Sequence, residues 1–149
     1  MTTTKQVKRA IPLLLLTALL LLLFGCAGIT DYEVPLSSSY VLTRLNTATI
    51  TITREGNFII NSYIGYVSFD QNYIFAQRLI NGRDSYSPVE YYGIVIQTNE
   101  LVGPMTSSEF DIWIHTLDPQ TSLDWIRSNQ VPDLLARSEE LGFSASECS

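Results

Sequence analysis

The chain has 149 residues, of which 46% are hydrophobic and 16% are charged. This balance is typical of one globular domain rather than of a disordered segment. The formal net charge of −6 argues against a nucleic-acid partner, since such proteins use clustered Lys and Arg to displace counterions.

The first 25 residues have the pattern of an export signal. Lys5, Lys8 and Arg9 precede an uncharged, leucine-rich run over residues 11–24, as in the basic and apolar regions of a secretory signal. This apolar run of about 14 residues is shorter than the roughly 20 that span a bilayer. We therefore predict a cleaved signal helix over residues 1–25, and an uncleaved anchor is the alternative.

Residues 23–26, Leu-Phe-Gly-Cys, resemble the lipobox of bacterial lipoproteins, although Phe24 is bulkier than the usual residue at its position. The resemblance implies cleavage between Gly25 and Cys26. It also implies an S-diacylglyceryl group on the Cys26 thiol, followed by N-acylation. An ordinary secretory signal cleaved near residues 27–28 is the alternative.

Removal of the signal changes the charge and the cysteine content. The mature chain keeps six arginines, no lysine and all fifteen acidic residues, a formal net charge of −9. Two or more acyl chains anchor a protein stably without a basic patch. We therefore expect the lipid alone to attach the acidic domain to the membrane, and we expect the domain not to bind anionic headgroups. With Cys26 lipidated, Cys148 has no intramolecular disulfide partner, and we predict an inert thiol on a frayed tail.

The residue after the lipidated cysteine bears on localisation. Ala27 stands there instead of Asp, which resembles lipoproteins that are passed to the outer membrane of two-membrane bacteria. In a one-membrane organism, the same chain is expected on the outer face of the cytoplasmic membrane.

The segment after Cys26 lacks a hydrophobic period and contains Pro35 and three consecutive serines. It predicts a flexible tether over residues 26–39, which places the domain roughly 20 Å from the anchor. Residues 40–149 are then expected to form a single α+β domain.

Short β-type segments separated by turn signals follow over residues 40–98. Residues 48–53 alternate between Ala or Ile and Thr, the pattern of a half-buried strand. The predicted turns lie at residues 55–56, 70–72 and 81–82, and Gly103-Pro104 closes the β region. Five or six strands joined in this way favour an antiparallel meander. The predicted strands are 40–45, 48–53, 57–60, 63–69, 73–80 and 90–98.

Two or three short helices are predicted over residues 107–142. Thr106 and Glu109 have capping-box spacing, and an apolar stripe at helical spacing follows from Phe110 to Leu117. Asp118-Pro119 predicts a second helix that runs through Ile126. A third is expected from Pro132 to Leu141, with Gly142 as its C-cap.

The order of these parts resembles an uncharacterised family of short bacterial lipoproteins over residues 39–117. Its most specific elements are Gly-Pro-Met at residues 103–105 and Ser-Glu-Phe at residues 108–110, which are similar to a Gly-Pro-Leu stop and a Glu-Phe helix start. The resemblance implies a lipoprotein with an α+β outline. That family has no assigned activity, so no functional residue is carried over.

Few residues suggest catalysis or metal binding. His115 is the only histidine and lies one helical turn after Asp111. The pair can serve a serine nucleophile, but it also fits stabilisation of a helix. The chain has no Gly-x-Ser-x-Gly motif, which a serine hydrolase of that type would contain. Asp70 and Asn72 suit a turn better than calcium. We predict no catalytic, cofactor or metal site, and a solvated face for residues 139–140.

Tyrosines are the remaining unusual feature, and they suit either sheet packing or a contact surface. Tyr91 and Tyr92 are consecutive and are expected on opposite faces of a strand. We therefore favour a non-enzymatic, membrane-tethered module that binds an envelope protein or a cell-wall component. A serine hydrolase using Asp111 and His115 and an immunity-like or phage-related lipoprotein are the alternatives. The clustered tyrosines are Tyr63, Tyr66, Tyr73, Tyr86, Tyr91 and Tyr92.

Overall fold

The computed structural model describes residues 31–46, 49–81, 88–117 and 123–143. Within these ranges the chain forms nine β-strands and two α-helices. The strands are β1 (Tyr32–Pro35), β2 (Tyr40–Arg44), β3 (Ile50–Arg54), β4 (Asn57–Ile60), β5 (Ile64–Phe69), β6 (Tyr73–Leu79), β7 (Val89–Val95), β8 (Glu100–Met105) and β9 (Ile126–Arg127). The helices are α1 (Ser107–Leu117) and α2 (Val131–Glu140).

The first four strands form an antiparallel sheet in the order β1-β2-β3-β4, which we call sheet A. Its tight turns follow from local chemistry. The Ser37 hydroxyl accepts a hydrogen bond from the Tyr40 N–H at 3.1 Å between β1 and β2. Glu55 and Gly56 both have positive φ angles, 50° and 76°, as a two-residue hairpin turn with the right twist requires. The turn predicted at residues 55–56 is confirmed.

The other five strands form a second antiparallel sheet, sheet B, in the order β8-β7-β6-β5-β9. The turn between β5 and β6 depends on Asp70, whose Oδ1 accepts hydrogen bonds from the N–H groups of Asn72 at 2.7 Å and Tyr73 at 2.8 Å. Asp70 and Asn72 therefore serve the turn, as the sequence indicates.

Side-chain alternation gives sheet B two apolar faces. Ile74 and Ala76 pack toward sheet A, whereas Phe75 between them packs toward α1. Tyr92 and Tyr91 divide in the same way, so the prediction that they face opposite sides is confirmed. The architecture is thus three layers: sheet A, sheet B and α1.

Helix α1 begins at the predicted capping box. The Glu109 carboxylate accepts a hydrogen bond from the Thr106 N–H at 2.8 Å, and the Glu109 N–H donates to Thr106 Oγ1 at 3.3 Å. Phe110 stacks on Tyr91 with ring centroids 4.8 Å apart. Trp113 lies directly over Gly93 of β7, where a Cβ atom would fall 2.0 Å from the indole Cη2. The absence of a side chain at Gly93 therefore lets the Cη2–Cζ3 edge of the indole ring approach the backbone of β7 closely.

Helix α2 packs beside β1 and completes the core between the sheets. Its Leu134 is fully buried among the residues of that core. Pro132 lies in the first turn, and Gly142 follows the helix with φ of 81°. The third predicted helix, from Pro132 to Leu141, is therefore confirmed with small changes at its ends.

The α+β class and the antiparallel strands are as predicted, but three assignments were wrong. The flexible tether, predicted over residues 26–39, is wrong from Tyr32 onward because β1 pairs with β2 and Val34 and Leu36 are completely buried. The β region continues beyond residue 98 into β8, where Pro104 lies on an edge strand that tolerates it. The result is two sheets rather than one meander of five or six strands.

The second predicted helix, from Asp118 through Ile126, is also wrong over its described part. Residues 123–125 have no regular structure, and Ile126 and Arg127 pair with Val67 and Tyr66 as β9. The free edge of β5 supplies hydrogen-bond partners there that an isolated helical turn lacks. Residues 118–122 and the signal helix over residues 1–25 lie outside the described residues. No helix in the described ranges has the length and apolar character needed to cross a membrane.

Candidate functional site

A cleft of about 380 Å³ opens between the two sheets at one end of the strands. Sheet A contributes Arg44 and Ile50, which are register partners at the end of β2 and the start of β3. Sheet B contributes the beginning of β5, the end of β6 and the segment 127–129 at β9. The lining residues are Arg44, Ile50, Tyr63, Ile64, Gly65, Tyr66, Leu79, Arg127, Ser128 and Asn129.

Backbone pairing holds the sheet B side of the cleft. Tyr66 is the register partner of Arg127, and the Ser128 N–H donates to the Gly65 carbonyl at 3.0 Å. The Leu79 N–H donates to the Tyr63 carbonyl at the same distance. Hydrogen bonds therefore join β5, β6 and β9 into one unit, and this unit holds the residues that line the cleft on the sheet B side.

Strained backbone precedes β5 at the mouth of the cleft. Ser62 and Tyr63 have φ angles of 47° and 58°, a left-handed conformation that non-glycine residues seldom adopt. Such conformations persist only where the surrounding structure holds them. Tyr63 lines the cleft and is 36% exposed.

The two arginines of the cleft each lie against a tyrosine. The Arg44 guanidinium carbon is 5.7 Å from the Tyr32 ring centroid, and its Nε donates to the Asn46 carbonyl at 3.3 Å. The Arg127 guanidinium carbon is 5.6 Å from the Tyr66 ring centroid, and its Nε donates to the Tyr66 hydroxyl at 2.9 Å. The aromatic contacts orient both cations while leaving donors for a further partner.

Neither cleft arginine forms an ion pair within the described part of the chain. The other three described arginines each lie within 4 Å of a glutamate. No lining residue of the cleft carries a carboxylate. The cleft is therefore a locally positive region in an otherwise acidic chain. The three paired arginines are Arg54 with Glu55, Arg78 with Glu90 and Arg137 with Glu140.

Tyr32 connects the two sheets beneath the cleft. Its hydroxyl donates to the Ser128 carbonyl, so the first residue of β1 is tied to the segment after β9. Burial raises the pKa of Tyr32, and the positive charge of Arg44 opposes this effect. The hydroxyl is therefore protonated, and able to donate, throughout the neutral range.

A second depression, of about 440 Å³, lies between β9 and α2. Two of its three carboxylates are already engaged: Gln130 donates to Asp133 at 2.8 Å, and Arg137 donates to Glu140 at 2.8 Å. No group of three or more metal-ligating side chains occurs among the described residues. This depression is a solvated groove between surface side chains.

The residues singled out for chemistry in the sequence do not come together. Asp111 and His115 are both exposed on α1, and no hydrogen bond or ion pair joins them in the described ranges. Glu139 and Glu140 are exposed on α2. Cys26, Gly25 and Cys148 lie outside the described residues.

The tyrosine cluster divides between the cleft and the packing around α1 and the core. Tyr63 and Tyr66 line the cleft, while Tyr73 and Tyr91 pack against α1. Tyr92 lies in the core between the sheets, and Tyr86 lies outside the described residues.

Sequence reasoning missed Arg44 and Arg127, which are far apart in the chain. The scarcity of positively charged residues in the mature chain was the only signal in the sequence that pointed to either arginine.

Comparison with protein-family models, curated proteins and solved structures found no match.

Proposed function

We propose that the chain is a bacterial lipoprotein whose exported domain is a non-enzymatic binding module at the membrane surface. The N-terminal pattern carries the first part: a basic segment, an apolar run and the sequence Leu-Phe-Gly-Cys at residues 23–26. Cys26 would carry the diacylglyceryl group and N-acylation. The membrane would be the outer one in a two-membrane organism and otherwise the outer face of the cytoplasmic membrane.

The open cleft between the sheets supports the binding role. It presents guanidinium donors, the side chains of Ser128 and Asn129, and two tyrosine rings. Such a mixture of polar donors and aromatic surfaces is typical of recognition sites. The expected partner is an envelope protein or a cell-wall component.

The segment between anchor and domain has fewer residues than the tether prediction implied. Tyr32, where β1 begins, lies six positions after Cys26. At roughly 3.5 Å per residue, even a fully extended segment reaches only about 21 Å. The domain would therefore remain next to the membrane surface.

Metabolic labelling with palmitate tests the anchor. We expect label on the wild-type chain and none on Cys26→Ala, because Cys26 is the cysteine directly after the bond proposed to be cleaved. Cys148→Ala is the matched control, since it removes the other cysteine, and it should be labelled like the wild type. Absence of label on the wild type would exclude lipidation.

Site-specific photocrosslinking in cells tests the binding role. A photoreactive residue at Tyr63, at the cleft mouth, should capture an envelope component. The same residue at Ile112, which is 69% exposed on α1, is the control for random encounters. Equal capture at both positions, or none at Tyr63, would contradict a binding role for the cleft.

A further inference from the structure

Arg44 and Arg127, which form no ion pair with any residue that the structure describes, line the cleft from different sheets. Arg44 ends β2 of sheet A, whereas Arg127 ends β9 of sheet B. Arginine binds phosphate and carboxylate oxygens through parallel N–H donors. Both arginines line one cleft whose lining residues include no carboxylate, a combination that suits an oxyanion.

The rest of the lining is compatible with an anion. Ser128 and Asn129 are uncharged residues with polar side chains, and Ile50, Ile64 and Leu79 form apolar walls. Because no lining residue is acidic, an entering anion meets no opposing charge there. The apolar walls suit the carbon atoms attached to such an anion more than a free ion.

The N-terminus of the domain emerges at this same end. Tyr32, the first residue of β1, is the register partner of Arg44, and Arg44 is in turn the partner of Ile50. The segment from Cys26 therefore leads directly to the cleft end of the strands. With a reach of about 21 Å at most, a lipid on Cys26 holds this end toward the bilayer.

Exposed apolar side chains surround this end of the sheets. Leu45 follows β2, Tyr63 precedes β5 and Ile80 follows β6, and these side chains are 46%, 36% and 45% exposed. Arginine, tyrosine and apolar side chains together are characteristic of protein surfaces at the membrane interface.

The opposite end of the strands has a different character. Its turns and helix end present exposed acidic residues, including Glu55, Glu100 and Glu139. These charges oppose general attraction to an anionic membrane. The cleft end also carries Asp31 and Glu90, but neither lines the cleft, so contact with an anionic membrane is expected through the cleft itself.

We infer that the cleft binds the phosphate of an anionic lipid headgroup in the membrane that holds the anchor. Arg44 and Arg127 hold the phosphate oxygens, and Tyr63 and the apolar walls contact the glycerol carbons. This inference rests on the proposed lipid anchor. It also replaces the expectation that the acidic domain stays away from anionic headgroups.

Hydrogen–deuterium exchange of the full lipidated chain in vesicles tests the inference. Vesicles of phosphatidylcholine alone are compared with vesicles that contain phosphatidylglycerol, and the chain is attached through its lipid in both. We expect phosphatidylglycerol to slow exchange at residues 44–50, 63–66 and 127–129. Since each basic residue near an anionic surface strengthens binding roughly fivefold, the slowing should be of that order or greater.

Charge-matched variants separate the cleft from general electrostatics. The double variant Arg44→Gln/Arg127→Gln should lose the protection. The double variant Arg54→Gln/Arg137→Gln removes the same charge outside the cleft and should retain it. Arg127→Gln alone should weaken the protection, and it provides a further test because this exposed side chain contributes little to the core. Equal protection in the two double variants would overturn the inference.

Soluble glycerol phosphate, added to phosphatidylcholine vesicles, identifies the source of the phosphate. Protection by phosphatidylglycerol together with weak or absent protection by the soluble compound supports a lipid ligand. Protection by the soluble compound alone would overturn it in favour of a free phosphate ligand. Palmitate labelling of the same preparation separates the two proposals: a labelled chain without lipid-dependent protection contradicts only the headgroup site, whereas an unlabelled chain contradicts the anchor.

Discussion

Gly93→Ala should destabilise the domain through Trp113. The new Cβ would lie 2.0 Å from Cη2 and 2.1 Å from Cζ3 of the indole, whereas carbon atoms pack at roughly 3.5–4.0 Å. The ring must therefore move by about 1.5 Å. Its edge-to-face contact with Phe75, at a centroid distance of 5.9 Å, would be disturbed.

The expected cost follows from two opposing effects. Forcing an extra carbon into a packed site costs about 1–3 kcal/mol. Replacing glycine by alanine within a strand recovers roughly 0.5–1 kcal/mol of that by reducing chain entropy in the unfolded state. We expect a net loss of about 1–2 kcal/mol in the free energy of unfolding. Urea unfolding of the full chain in a non-ionic detergent, followed by circular dichroism, measures it.

Gly65→Ala is the matched control in the same sheet. Its Cβ would meet Leu79 Cγ at 3.5 Å, an ordinary contact, so the free energy of unfolding should change by less than about 0.5 kcal/mol. In a Trp113→Ala background, Gly93→Ala should lose its penalty because the clash is gone. Equal stability of the two Gly→Ala variants, or a penalty that persists without Trp113, would refute the reasoning.

Two further predictions concern a long-range hydrogen bond and the start of α1. Tyr32→Phe removes the hydroxyl that donates to the Ser128 carbonyl; it should cost about 1–2 kcal/mol in unfolding experiments, and a variant as stable as the wild type would contradict the link between the sheets. The backbone N–H and then the hydroxyl of Thr106 lower the pKa of Glu109 by hydrogen bonding. The stabilisation from Glu109 should be complete above its ordinary pKa and be lost as the pH falls through the lower folded value. In an NMR titration, Thr106→Ala should raise this pKa part of the way to its ordinary value, because the backbone N–H remains, and an unchanged value would show that the hydroxyl does not contribute.

Elements with strong local signals were predictable from the sequence. Strand β4 begins where the Glu55-Gly56 turn ends, because that turn requires positive φ angles that glycine adopts without strain. Helix α1 begins at a capping box whose hydrogen bonds involve neighbouring residues only. In both cases, the residues that determine the boundary lie within a few positions of it.

Elements that depend on distant partners were missed. Strand β1 is four residues long and contains Pro35. It is extended because its backbone pairs with the edge of β2. Strand β9 has two residues and exists through pairing with β5. The cleft could not be predicted because Arg44 and Arg127 line a common surface only after the two sheets pack together.

The position of β1 also has a mechanical consequence. Under the proposed lipid attachment at Cys26, a pull on the far side of the domain would act along the axis of this edge strand. The register pairs from Tyr32–Arg44 to Pro35–Val41 then carry the load at the same time instead of opening one after another. The lipid attachment would thus load the domain in shear, the direction in which a paired strand resists extraction most strongly.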